Sequence, residues 1–167
     1  MQRFDGGIRY VMGDATQPSA VGNKIIAHVC NDVGKWGKGF VLALRARFPQ
    51  SEHAYRSWHM QMTGPGSPPF ELGQVQAVQV AEDLLIVNMI AQHDVASRTN
   101  VHPLDYVALE ACLNKLADLA LLTKASVHMP RIGCGLGGGE WTTVETIIMR
   151  TLVAKNVATV VYDYLPN

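Results

Sequence analysis

Apolar positions along this chain fall into two recurring patterns. Residues 24–29 and 84–90 are almost continuously apolar, the signature of strands buried on both faces. Residues 8–12 form a shorter β-rich run stopped by Gly13-Asp14, and 126–129 another that stops at Pro130. Residues 74–80 alternate weakly, with Val75, Ala77 and Val78 set among glutamines, and 158–162 read as a last strand. Between them the spacing turns helical. Phe40, Ala43-Leu44 and Arg47-Phe48 share a face up to Pro49; Ser51 is placed to cap a second helix with Tyr55, Trp58 and Met62 on one stripe. Residues 105–122 give the longest helix, with Leu109, Leu113, Leu116 and Ala120 in phase. Thr142-Thr143-Val144-Glu145 has a capping-box pattern that opens a helix carrying Ile147, Ile148 and Leu152. Strands alternating with helices predict one α/β domain over 1–167, with helices on both sides of a mixed, mostly parallel sheet. Ligands in such folds sit beyond the carboxyl ends of the strands. The Gly/Pro segment 64–69 reads as a stiff loop.

Length and composition agree with a single core: 167 residues, 48% hydrophobic and 17% charged, are ordinary for a globular domain. Lysine plus arginine number 14 and aspartate plus glutamate 14, which argues against a generic nucleic-acid or membrane-surface binder. No run approaches the length of a membrane span, and the opening residues 1–7 have no apolar stretch that reads as a signal peptide. Cys30, Cys112 and Cys134 are an odd set without close spacing, so a reducing, cytoplasmic setting is expected. Metal binding is not expected: the cysteines lack ligand spacing, and His53 and His59, six apart, do not share a helical face.

Glycine placement is more informative. Of 15 glycines, Gly34, Gly37 and Gly39 lie in one window and Gly133, Gly135, Gly137, Gly138 and Gly139 in another. Each window follows an apolar strand and runs into a helix. Backbone N–H groups in such turns converge on phosphate, and the helix start adds partial positive charge. Two such loops at one sheet edge suit a diphosphate held from both sides, with Lys35 and Lys38 either beside it or simply solvated. Gly133, Gly135 and Gly138, with Asp163 beyond, also match the dinucleotide fingerprint, but no second mononucleotide-binding half can follow so late in the sequence. No Gly-Lys-Ser/Thr occurs, so there is no P-loop.

Four segments together resemble a macrodomain, the ADP-ribose-binding fold: Gly13-Asp14-Ala15-Thr16; His28-Val29-Cys30-Asn31; Gly34-Lys35-Trp36-Gly37-Lys38-Gly39-Phe40; and Met129-Pro130-Arg131-Ile132-Gly133-Cys134-Gly135-Leu136 ahead of Trp141. The resemblance runs the length of the chain. It is nearest to the branch of the terminal ADP-ribose protein glycohydrolases, while residues 31–39 also look like the fungal ADP-ribose 1″-phosphate phosphatases. It implies a three-layer α/β/α macrodomain with ADP-ribose, or an ADP-ribosylated substrate, as partner, no cofactor, and a monomer. By the same resemblance Asp14 would accept from the adenine amino group with Ala15 beside the ring. Asn31 would contact the distal ribose. Trp36, Gly37, Lys38, Gly39 and Phe40 would wrap the diphosphate and distal ribose together with Arg131, Gly133, Cys134, Gly135, Leu136, Gly137 and Gly138. Tyr162 or Tyr164 would pack on the adenine. The glycohydrolase branch carries a lysine after the central strand and an aspartate in the second loop; here residues 84–104 contain no lysine, and Gly137 stands at the aspartate position.

Chemistry at an anomeric carbon then needs an activated water. Asn31 would orient the ribose; Asp32 and His93 are the candidate acid–base groups, each also readable as an ordinary loop residue. His28 reads equally as a core histidine, and Cys134 better as a small packing residue than as a thiolate. Three functions compete: removal of ADP-ribose from modified side chains or nucleic-acid ends, hydrolysis of ADP-ribose 1″-phosphate, and non-catalytic ADP-ribose reading.

Overall fold

The computed structural model describes residues 2–5 and 7–164, with side chains from residue 7 onward. Met1, Gly6 and residues 165–167, which belong to the expected single domain, lie outside the described residues. Seven strands form one sheet: β1 (Gln2–Asp5), β2 (Ile8–Met12), β3 (Lys24–Asn31), β4 (Val75–Ala81), β5 (Leu84–Gln92), β6 (Ser126–Met129) and β7 (Thr159–Asp163). Their spatial order is β1-β2-β7-β6-β3-β5-β4. The five inner strands run parallel, and β1 and β4 close the edges antiparallel. The helices are α1 (Phe40–Arg47), α2 (Pro49–His59), α3 (Tyr106–Thr123) and α4 (Trp141–Thr151), with a 3-10 turn at Val153–Lys155.

Alternation along β3 sorts the core into two layers. Ile25 and Ala27 pack with Val87, Met89, Val127 and Val161 under α3 and α4, whose Leu109, Leu113, Leu116, Val144 and Ile148 are fully buried. Ile26 and Cys30 face the other way, with Leu84 and Ile86, against Leu44 of α1 and Tyr55 of α2. This is the three-layer α/β/α architecture with a mostly parallel sheet that the resemblance implies.

Several helix starts differ from expectation. α2 begins at Pro49, not after Ser51, because proline is favoured at a first helical position, where its missing N–H is no loss. Ser51 is buried in that first turn and its hydroxyl donates to the Phe48 carbonyl at 2.8 Å. Met62 lies beyond α2, 73% exposed. The capping box at Thr142 is not formed: Glu140 is the N-cap residue of α4 and makes no side-chain cap bond, while Thr142 is already inside the helix. α3 is capped as its sequence suggests, the Asp105 carboxylate accepting from Ala108 N–H at 2.9 Å.

Candidate active site

Because β2, β7, β6, β3 and β5 are parallel, their carboxyl ends and following loops share one edge. Asp14, Asp163, Arg131, Asn31 and Gln92 therefore stand in a row across four strand spacings, about 19 Å at ~4.8 Å each. Between Cys30 and Asn31 the β3–β5 register slips, so that Asn31 opposes Gln92 and Ala91 is passed over. Such a bulge bends the strand at its end and re-aims the side chains there.

Two adjoining cavities of about 240 and 200 Å³ open along this edge. They share Val29, Lys38, Val41, Gln92 and Leu136, and so make one cleft. The first holds Asn31, Lys35, Trp36 and Gly37; the second holds Gly39, Phe40, Arg131, Gly133, Gly135 and Gly137. Both glycine loops thus face the same space. Gly39 and Gly133 sit at φ 78 and 72, a region side chains disfavour. Among the described residues, the backbone N–H groups of Gly37, Lys38, Gly39, Gly133, Gly135, Leu136 and Gly137 have no acceptor. Seven undirected donors, the start of α1 and two lysines around one cleft make it a place for an anionic ligand.

Not every expected residue reaches the cleft. Cys134 and Gly138 line neither cavity; Cys134 is half-buried under the loop with its thiol pushed up by burial, which fits packing and not a thiolate. Gly138 is wedged against the Val101 carbonyl and His102. Trp36 is 1% exposed, its indole N–H donating to the Val41 carbonyl at 2.8 Å, so it forms the wall rather than the mouth. Asp14 sits with Gly13 and Tyr162 at a separate pocket of about 420 Å³ further along the edge. One Asp14 carboxylate oxygen accepts from Thr16 N–H at 2.8 Å and its hydroxyl at 2.7 Å; the other has only Gln17 at 3.3 Å. Burial works against the charge, but these bonds hold the carboxyl below its ordinary range. Ala15 is buried, Tyr162 bonds His128 Nδ1 through its hydroxyl at 2.6 Å, and Tyr164 is exposed.

Asn31 is heavily used inside the protein. Its amide oxygen accepts from the N–H groups of Val33 and Lys35, each at 3.1 Å, and from the Tyr55 hydroxyl at 2.8 Å; its amide nitrogen donates to the Lys35 carbonyl at 2.7 Å. One amide hydrogen is left for a ligand. Tyr55, which the sequence offered only as core, also donates to the Asn31 carbonyl at 2.6 Å and so fixes the start of the first glycine loop.

Asp32 and His93, sixty-one positions apart, meet: Nδ1 of His93 lies 2.8 Å from one carboxylate oxygen, and Asp94 N–H donates to the other at 2.7 Å. The pair follows directly on Asn31 and Gln92 in the chain but lines neither cavity of the cleft; Asp32 lines a separate pocket of about 700 Å³ with Trp58 and His59. Hydrogen bonding to Asp32 raises the His93 pKa above the ordinary histidine value. His28 is the opposite case, a core histidine bonded to Asn88 Oδ1 at 2.5 Å, with burial pushing its pKa down to about 4. Among the described residues no cluster of three or more His, Cys, Asp or Glu could hold a metal, and no helix is long and apolar enough to cross a membrane.

No family model matches the chain. A macrodomain protein from Streptomyces coelicolor is 48% identical and superposes with a TM-score of 0.81, over 93% of this chain and 98% of that one. This chain belongs to the macrodomain family. Among curated proteins, the macrodomain is 34% identical over 165 residues to mouse (Mus musculus) chromodomain-helicase-DNA-binding protein 1-like, 96% of this chain but only 18% of that protein's length. It is also 26% identical over 155 residues to an ADP-ribose 1″-phosphate phosphatase of Candida albicans, covering 84% of this chain and 91% of that protein.

Proposed function

We propose that this macrodomain binds ADP-ribose and hydrolyses ADP-ribosyl adducts on protein side chains or nucleic-acid ends, in the cytoplasm. The observation that carries the reading is the pair of glycine loops lining one cleft with seven backbone N–H groups unengaged among the described residues. A diphosphate in that cleft puts adenine toward Asp14 and the distal ribose toward Asn31 and Gln92. Asp32 and His93, next to Asn31 and Gln92 in the chain, are the acid–base groups assigned to the anomeric carbon in this reading. Water oxygen bonds to that carbon, the bond to the acceptor oxygen breaks, and His93, held through Nδ1 by Asp32, relays the water proton to the departing oxygen through Nε2. The reading uses no lysine nucleophile after the central strand, since residues 84–104 have none.

Titration calorimetry with ADP-ribose tests the binding, with an expected micromolar affinity, about −8 kcal/mol. Heat with NAD and none with ADP-ribose would overturn it. Incubation with an automodified acceptor protein, followed by assay of released ADP-ribose, tests the hydrolysis. The phosphatase reading rests on the similarity to the fungal phosphatase over 84% of this chain and 91% of that protein, and on Lys35 and Lys38 in the cleft lining. It wins if ADP-ribose 1″-phosphate turns over and the modified protein does not.

A further inference from the structure

The second glycine loop runs from the end of β6 to the start of α4, and its glycines give it little stiffness of its own. One guanidinium spans its two ends. Arg131, the second residue after β6, donates through Nε and Nη2 to the two carboxylate oxygens of Asp163 at 2.6 and 3.0 Å, which ties the loop to the end of β7. Its guanidinium carbon also lies 5.1 Å from the ring centroid of Trp141, the first residue of α4, and 5.3 Å from that of Tyr10 on β2. The two rings meet edge to face at 6.3 Å. The Trp141 indole N–H donates to the Tyr10 hydroxyl at 3.0 Å, and that hydroxyl bonds the Glu145 carboxylate one turn into α4. Three other segments meet this one side chain at the loop start: loop end, β2 and β7.

That geometry commits two of the five guanidinium N–H donors of Arg131 and its flat surface. Its planar fork is spent on a carboxylate and its flat surface on two aromatic rings, a combination that an ammonium group does not reproduce. We infer that Arg131 is a positioning residue that fixes the distance between the two ends of the loop and thereby aims the N–H groups of Gly133, Gly135, Leu136 and Gly137 into the cleft, rather than a charge that binds the ligand. The affinity part of this inference rests on the ADP-ribose reading; the loop-ordering part does not.

Arg131→Lys separates the two roles, because it keeps the charge and loses the fork and the flat surface. The expected result is affinity for ADP-ribose about tenfold lower on folded protein, with faster amide hydrogen exchange at residues 133–139 and unchanged exchange in β3 and α3. Trp141→Leu should give the same loop signature, and the double variant should lose no more affinity than the worse single one. Wild-type affinity and wild-type loop exchange in Arg131→Lys would overturn the inference. So would an affinity loss without any change in loop exchange, or strictly additive losses in the double variant. If unmodified protein shows no heat with ADP-ribose, the ligand reading has failed, and the exchange measurement still decides whether Arg131 orders the loop.

Discussion

Replacing Gly137 by aspartate would supply the carboxylate that the glycohydrolase branch carries there, and it should weaken binding instead of adding activity. A Cβ at position 137 lies 2.5 Å from the Gly133 carbonyl oxygen and 3.1 Å from its carbon, where ordinary contact begins near 3.4 Å. The loop must open by about 0.9 Å to accept it. The obstacle is therefore the loop's own backbone. That carbonyl is fixed by Gly139 N–H at 2.8 Å, and the Gly137 carbonyl in turn accepts from Leu104 N–H at 3.0 Å. Overpacking costs about 1–3 kcal/mol and one strained hydrogen bond about 0.5–1.5 kcal/mol. A domain with ~5–15 kcal/mol of stability survives that, but the N–H groups on either side of residue 137 shift. Affinity for ADP-ribose should fall by at least about tenfold, the equivalent of ~1.4 kcal/mol. The assay is titration calorimetry on Gly137→Asp whose fold is verified by circular dichroism, together with turnover of automodified protein. Unchanged affinity, or a gain in turnover, would refute the steric argument.

Further outcomes follow from other parts of the edge. Asp14→Ala should cost roughly 1.5–3 kcal/mol of affinity on folded protein; a lower melting temperature with unchanged affinity would mean that Asp14 serves only its own turn with Thr16. Tyr55→Phe removes the buried donor to both oxygens of Asn31 and should lower stability by about 1–3 kcal/mol in urea titrations, with weaker ligand binding alongside. His28 and His128 are both held neutral by burial, with pKa values pushed down to about 4. The unfolded chain therefore takes up protons first. Stability is full above about pH 6.5 and falls toward pH 4, by roughly 3 kcal/mol for each histidine. Urea titrations at pH 7 and pH 4.5 check the slope, which should flatten in His128→Asn. If His93 relays the water proton it must start neutral, so activity should rise as pH rises through its elevated pKa, and Asp32→Asn should move that rise to lower pH; a profile that Asp32→Asn leaves in place removes the pair from the reaction.

Much of the layered fold was legible because inner parallel strands are apolar on both faces and stand out as continuous runs. β1 was not legible: Gln2-Arg3-Phe4-Asp5 is mostly polar, too short to show a period, and pairs along one side only. The start of α2 was misplaced because Pro49 carries two meanings, end of one helix and first turn of the next, and composition does not choose between them. At the site, both glycine loops could be read from spacing, since each is a local feature. What could not be read was the pairing across the sheet. Asp32 and His93 each looked like an ordinary loop residue taken alone, and Arg131 gave no sign of Asp163 or Trp141, because these contacts exist only once five separate strand ends are aligned.

The strand order has a consequence for how the molecule comes into being. β7 is the last strand in sequence, yet it lies between β2 and β6, in the interior of the sheet. A chain that emerges amino end first has both of its neighbours well before it, and until residues 159–163 arrive each presents an open edge with unpaired backbone groups. Insertion must then satisfy two parallel ladders at once over a sequence separation that spans almost the whole domain, which is slow by its nature and leaves an aggregation-prone intermediate waiting. Asp163, the anchor of Arg131, arrives in that same step. A nascent or C-terminally clipped chain should therefore lack an ordered second loop, and ligand recognition should appear only with the completed sheet.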